Sequence, residues 1–169
     1  MAKLLDSVYE RGFAATGGLN TDMILAWAKL PLPGRDSAQS AAILRRGIKV
    51  FPEEPGLWEA LLLTKVWDPS SDLEALVDEA LAALSKSLDS DVVARLYQPL
   101  LERSLEKPEE TERLFAVAIK HRATPSAALC SQFLRFSLVS HGLPGAERTF
   151  EQLLKAFPGG DRCLAPCCL

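Results

Sequence analysis

Two apolar anchors, always four residues apart, recur along this chain at a nearly fixed interval. Leu44, Val77, Phe115 and Phe150 form one series, and Ile48, Leu81, Ile119 and Leu154 follow each member by four positions. From 44 to 77, 77 to 115 and 115 to 150 the steps are 33, 38 and 35 residues. A second pair of series shares the period: Met23, Leu57, Leu96 and Leu129, followed by Trp27, Leu61, Leu100 and Phe133. Spacing of four places both anchors on one face of a helix. A repeat near 35 residues is the size of one helix–turn–helix unit, which cannot bury its apolar face alone and stacks on its neighbours. The pattern predicts an all-α fold of antiparallel helical hairpins stacked as an α-α superhelix. The hairpins are expected at about 20–50, 55–86, 89–121 and 125–157, within one repeat domain over 1–158. Residues 159–169 are expected to be an irregular, disordered tail.

Local signals divide the chain in the same way. A short helix is expected from Leu4 to about Gly12, then a break at Gly17-Gly18, with Asn20 or Thr21 as the next cap. Met23, Ile24 and Trp27 share one face of a helix that ends before Pro31. After a rigid connector, Pro31 to Gly34, Ser37 is the expected cap of a helix over 38–50 that Pro52 stops. Pro55 suits the first turn of the next helix, whose stripe is Leu57, Trp58, Leu61 and Leu62. Ser70 or Ser71 is expected to cap 73–84, and Asp89 or Ser90 the helix carrying Val93, Leu96, Tyr97, Leu100 and Leu101. Pro99 is expected to kink that helix or to mark a shorter first turn. Pro108-Glu109-Glu110 opens another helix, with acidic residues in its first turn. Pro125 starts a helix with Leu129, Phe133, Phe136 and Leu138 apolar; Gly142 ends it, and Pro144 starts the last.

Composition narrows the function. Of 169 residues, 48% are hydrophobic and 24% charged, which argues against wholesale disorder, while aromatics at 7% favour Leu- and Ala-rich helices over sheet. A net charge of −3 provides no broad basic field for a nucleic-acid backbone. No apolar run reaches the ~20 residues that span a membrane, and the opening residues lack the apolar stretch of a secretory signal. A reducing compartment is therefore expected, with Cys130 a small core residue.

The chain offers little catalytic chemistry. His121 and His141 read as surface positions near helix ends, without a partnered nucleophile or carboxylate at a telling spacing. Cys163, Cys167 and Cys168 lack the second ligand pair of a zinc site, and Gly17-Gly18 and Gly159-Gly160 lack the phosphate-loop frame. Glu109, Glu110 and Glu112 read as a solvated first turn, and Arg45, Arg46 and Lys49 as a solvated basic face. Trp27, Trp58 and Trp67 read as packing residues rather than a base-stacking platform. An enzyme, a cofactor and a bound metal are not expected. The residues expected to carry the protein's work by packing its repeats are Trp27, Leu44, Ile48, Trp58, Leu61, Val77, Leu81, Leu96, Leu100, Phe115, Ile119, Leu129, Phe133, Phe150 and Leu154.

One junction carries a family resemblance. A second helix ends in Phe51-Pro52, and after Glu53-Glu54-Pro55-Gly56 the next first helix opens on Leu57-Trp58-Glu59. Phe157-Pro158 repeats its first half, and the stretches from Glu112 to Lys120 and from Glu147 to Lys155 match one another as second helices. This texture resembles the half-a-TPR (HAT) repeat. It departs from the pattern where Leu96-Tyr97 and Leu129-Cys130 replace Leu-Trp, and where Arg122-Ala123 replaces Phe-Pro. The resemblance implies a TPR-like superhelix and a non-enzymatic scaffold of an RNA-processing machine. Its implied setting is a nucleolar pre-ribosomal particle that processes pre-18S rRNA, the alternative being pre-mRNA splicing or 3′-end cleavage. The implied partners are protein subunits of a ribonucleoprotein complex, with RNA contact indirect, no membrane and no small-molecule substrate, in the nucleus and nucleolus. Because 159–169 fits no repeat where another Leu-Trp helix is due, a fragment or short isoform of a longer repeat protein is expected.

Overall fold

The computed structural model describes residues 2–15, 20–30, 36–85, 88–121 and 126–156. The expectations placed on Gly17-Gly18, the connector from Pro31 to Gly34, Arg122-Ala123, Pro125, Phe157-Pro158 and the 159–169 tail fall outside these residues. Among the described residues the protein is all-α, with eight helices packed mainly against their sequential neighbours. They are α1 (Ala2–Ala15), α2 (Thr21–Lys29), α3 (Ser37–Val50), α4 (Pro55–Lys65), α5 (Leu73–Ala83), α6 (Ser90–Ser104), α7 (Pro108–Lys120) and α8 (Ala127–Ala156). Packing divides the chain into two units, Met1–Leu88 and Asp89–Leu169.

Acidic and amide side chains start α2, α3 and α5 of the first unit, while α4 opens on Pro55 without a side-chain cap. Asn20 accepts the Met23 N–H at 2.8 Å, Asp36 that of Gln39 at 2.8 Å and Asp72 that of Ala75 at 3.0 Å. Such caps satisfy donors that have no partner within the helix, at about 1 kcal/mol each. Asp36 thus takes the cap expected of Ser37, which enters the first turn instead. Asp72 takes the one expected of Ser70 or Ser71, because the Ser70 hydroxyl donates to Asp68 at 2.6 Å.

The inward stripes then interlock. Ile24 and Trp27 of α2 meet α3, whose Ala41, Leu44 and Ile48 are buried, and the buried Gly47 lets the Ile24 side chain lie against the α3 backbone. α4 packs on α2 as well as on α3, and α5 packs on α4. Two apolar residues face differently from their expected direction. Met23 is half exposed while its neighbour Ile24 is fully buried. Trp67 is 82% exposed, because Val66 at 3% takes the inward position that follows Leu62.

α1 runs longer than the expected span of 4–12 and docks on Trp27. Tyr9 stacks on the indole with centroids 5.7 Å apart and planes 6° apart, Phe13 lies at 6.4 Å, and Asp6 accepts the indole N–H at 2.7 Å. The Arg46 guanidinium of α3 covers Phe13 at 4.6 Å and Trp27 at 5.4 Å while pairing with both carboxylate oxygens of Glu10 at 2.7 and 3.0 Å. That hydrogen-bonded pairing with Glu10 raises the Arg46 pKa above its ordinary value.

In the second unit Asp89 caps α6 by accepting the Val92 N–H at 2.7 Å. α6 continues through Pro99 as one helix to Ser104, with the ring buried. The turn into α7 is held by a buried polar knot. The Thr111 hydroxyl, fully buried, lies 2.7 Å from the Ser104 carbonyl, 3.0 Å from its Oγ and 3.1 Å from the Lys107 carbonyl. Thr111→Val keeps the shape and removes the donor. It is expected to cost about 1–3 kcal/mol by urea denaturation, the range for a buried polar group left without its partner. α8 packs on α7 and on α6, with Phe115 stacked on Phe133 at 4.9 Å and tilted against Phe136 at 5.8 Å. Leu138, expected on that apolar face, is half exposed. α8 is two arms joined at Gly142, whose φ of 68° and ψ of −170° belong to a region open essentially to glycine alone. Pro144 then falls in the first turn of the second arm, where its missing N–H does little harm.

Candidate functional site

The packing residues expected to define the repeats lie on the helices they were placed on. Trp27, Leu44, Ile48, Trp58, Leu61, Val77, Leu81, Leu96, Leu100, Phe115, Ile119, Leu129 and Phe133 are buried. Phe150 and Leu154 are only half-buried, because the second arm of α8 turns Gly145, Thr149 and Leu153 inward, one register step away. Trp58 also secures the junction before its helix by donating its indole N–H to the Pro52 carbonyl at 2.9 Å.

The charged groups singled out in the sequence are mostly paired. Arg45 reaches both carboxylate oxygens of Glu79 at 2.7 and 2.8 Å, and its guanidinium lies 5.9 Å from the Trp58 ring centroid. With Arg46 engaged by Glu10, two of the three cations of the α3 basic face are neutralised within the unit. Lys107 pairs with Glu110 at 3.2 Å. Asp68, in the turn after α4, is held well below the usual carboxylate range, first by the Lys65 ammonium at 2.8 Å and then by Ser70 and Ser71. His121 ends α7 and meets the Tyr97 hydroxyl at 2.8 Å through Nε2.

A feature among the described residues with the form of a receptor was not read from the sequence. It is a cleft of about 230 Å³ in the second unit, between the two arms of α8 and the side of α7. Phe133, Ser137 and His141, four residues apart, face it from the first arm. Gly145, Arg148, Thr149 and Gln152 face it from the second, and Glu112 comes from α7. Its base is the buried pair Ser137 and Thr149, with hydroxyls 2.9 Å apart. Glu112 is taken by His141, Oε1 to Nε2 at 3.0 Å. Gly145 makes the geometry possible, since a Cβ there would lie 2.3 Å from His141 Cβ. A signal was present: Gly142 and Gly145 three apart, flanked by small polar residues at helical spacing. The cleft is smaller than the roughly 300–1,000 Å³ of sites that enclose whole small molecules. It is sized for a side chain, with an apolar wall at Phe133 and donors at its mouth.

Among the described residues no group of three His, Cys, Asp or Glu is placed to hold a metal ion, and no helix is long and apolar enough to cross a membrane. No family model, curated protein or solved structure matches the chain.

Proposed function

We propose that this chain is a non-enzymatic helical-repeat scaffold of HAT type that binds protein subunits of a nucleolar pre-ribosomal particle. The observation that carries the scaffold reading is that like helices of successive hairpins touch. α2 packs on α4 and α6 on α8. Arg45 on α3 pairs with Glu79 on α5, 34 residues further on. Such contacts one repeat apart are what stacking of hairpins in a constant orientation produces, and a superhelix extends them. The Trp58–Pro52 hydrogen bond gives a physical reason for the Phe-Pro, Leu-Trp junction on which the HAT resemblance rests.

The more specific reading, assistance to pre-18S rRNA processing and small-subunit biogenesis, rests on the resemblance of residues 56–157 alone. That run is similar in order and spacing to the C-terminal HAT region of the small nucleolar RNA-associated protein of the small-subunit processome. Affinity purification of the tagged chain with mass spectrometry tests it. Small-subunit processome proteins and nucleolar staining are expected. Splicing, 3′-end cleavage or chaperone subunits in their place would overturn the particle and leave a HAT or TPR adaptor of another complex.

A further inference from the structure

The cleft between the arms of α8 has an uneven supply of satisfied groups. Its acid, Glu112, is already held by His141 at 3.0 Å. Its hydroxyls, Ser137 and Thr149, hold one another. Arg148, exposed at the rim, donates from Nε to the Pro144 carbonyl at 3.2 Å, and its two terminal nitrogens have no partner among the described residues. Gln152, one turn further along the same face, likewise has no partner among them. The cleft therefore presents a forked cation and a neutral amide above an apolar wall, with its carboxylate paired to His141. A guanidinium fork matches a carboxylate in a bidentate arrangement, and the match is stronger where one side is walled from water.

We propose that this cleft receives a glutamate or aspartate side chain of an extended partner peptide, with Arg148 as its principal ligand and Gln152 beside it. A single carboxylate suits the site better than a nucleic-acid backbone. The bordering Glu112 and the net charge of −3 over the chain oppose a polyanion, while one small anion needs only the fork. His141 is a positioning residue, holding Glu112 through the 3.0 Å pair. The inference rests on the scaffold reading, for which it names the partner's chemistry.

The test uses the full chain, immobilised, and three end-blocked pools of random heptapeptides with a central Glu, Gln or Lys. The Glu pool is expected to be retained at least about fivefold above the other two. Arg148→Gln should abolish that excess and Gln152→Ala should roughly halve it. Arg135→Gln, on the same helix but outside the cleft, should leave it unchanged. Circular dichroism of each variant separates loss of the ligand from loss of the fold, and Gln152→Ala decides the matter if Arg148→Gln unfolds. Equal retention of the Glu and Gln pools, a Lys preference, or an excess that survives in folded Arg148→Gln overturns the proposal. Stronger retention of hexauridylate than of the Glu pool overturns it in favour of RNA. The pools contain no ribosomal protein, so this result is independent of which complex the chain joins.

Discussion

Replacing Trp27 with alanine is expected to destabilise the first unit by about 3–5 kcal/mol, the range for emptying a buried aromatic site. The size follows from how much converges on one indole. Trp27 is 1% exposed, stacked by Tyr9, flanked by Phe13, covered by Arg46 and hydrogen-bonded to Asp6. Removing it leaves a cavity that the α2–α3 hairpin cannot close, and it takes from α1 the surface on which that helix docks. Urea denaturation gives the total. Amide hydrogen exchange locates it, with protection in α1, α2 and α3 expected to fall about a hundredfold or more. A loss below about 1 kcal/mol, or faster exchange confined to α1, would show that Trp27 does not organise the hairpin.

Gly145→Ala is the second large effect, and its sign is unusual. Alanine at a helical glycine ordinarily stabilises by up to about 1 kcal/mol. Here the new methyl would lie 2.3 Å from His141 Cβ and 3.3 Å from the Ser137 carbonyl, and neither is the end of a flexible side chain. The arms of α8 must part, which separates the Ser137–Thr149 hydroxyls and shifts His141 from Glu112. A net loss of about 2–4 kcal/mol is expected from overpacking and the broken buried pair, offset in part by propensity. Thermal denaturation checks it. An increase in stability would mean that the arms can part at no cost and that the cleft is not a fixed shape.

Helix identity was legible throughout, because apolar residues four apart and prolines between them leave few alternatives to hairpins. Facing was legible only where one residue dominates a turn. Met23 and Ile24 are adjacent and both apolar, and only the close approach of Gly47 decides for Ile24. Trp67 looked like core by its bulk, yet Val66 holds the inward position and the indole is left outside. Phe150 and Leu154 were displaced for a similar reason, since the Gly142 break sets the rotation of the second arm and no periodicity encodes that angle. The cleft was missed because Ser137, Gly145, Arg148, Thr149 and Gln152 carry no signal one by one. They become a site only when the arms fold back. The pairing of Arg45 and Arg46 was hidden too, since their carboxylate partners lie 34 and 36 residues away.

That last pairing makes α3 an address as well as a support. Its adjacent arginines point in opposite directions along the chain, Arg46 to an acid on α1, before its hairpin, and Arg45 to an acid on α5, the second helix of the hairpin that follows. Exposed pairs of this kind contribute little to folding energy, but they discriminate between neighbours. A hairpin inserted, deleted or exchanged on either side of α3 would have to bring a carboxylate to the same spot, or leave a cation above an aromatic ring with nothing to hold it. The order of helices around α3 is thereby tied to two particular acids, Glu10 and Glu79, and its neighbours in the first unit cease to be interchangeable.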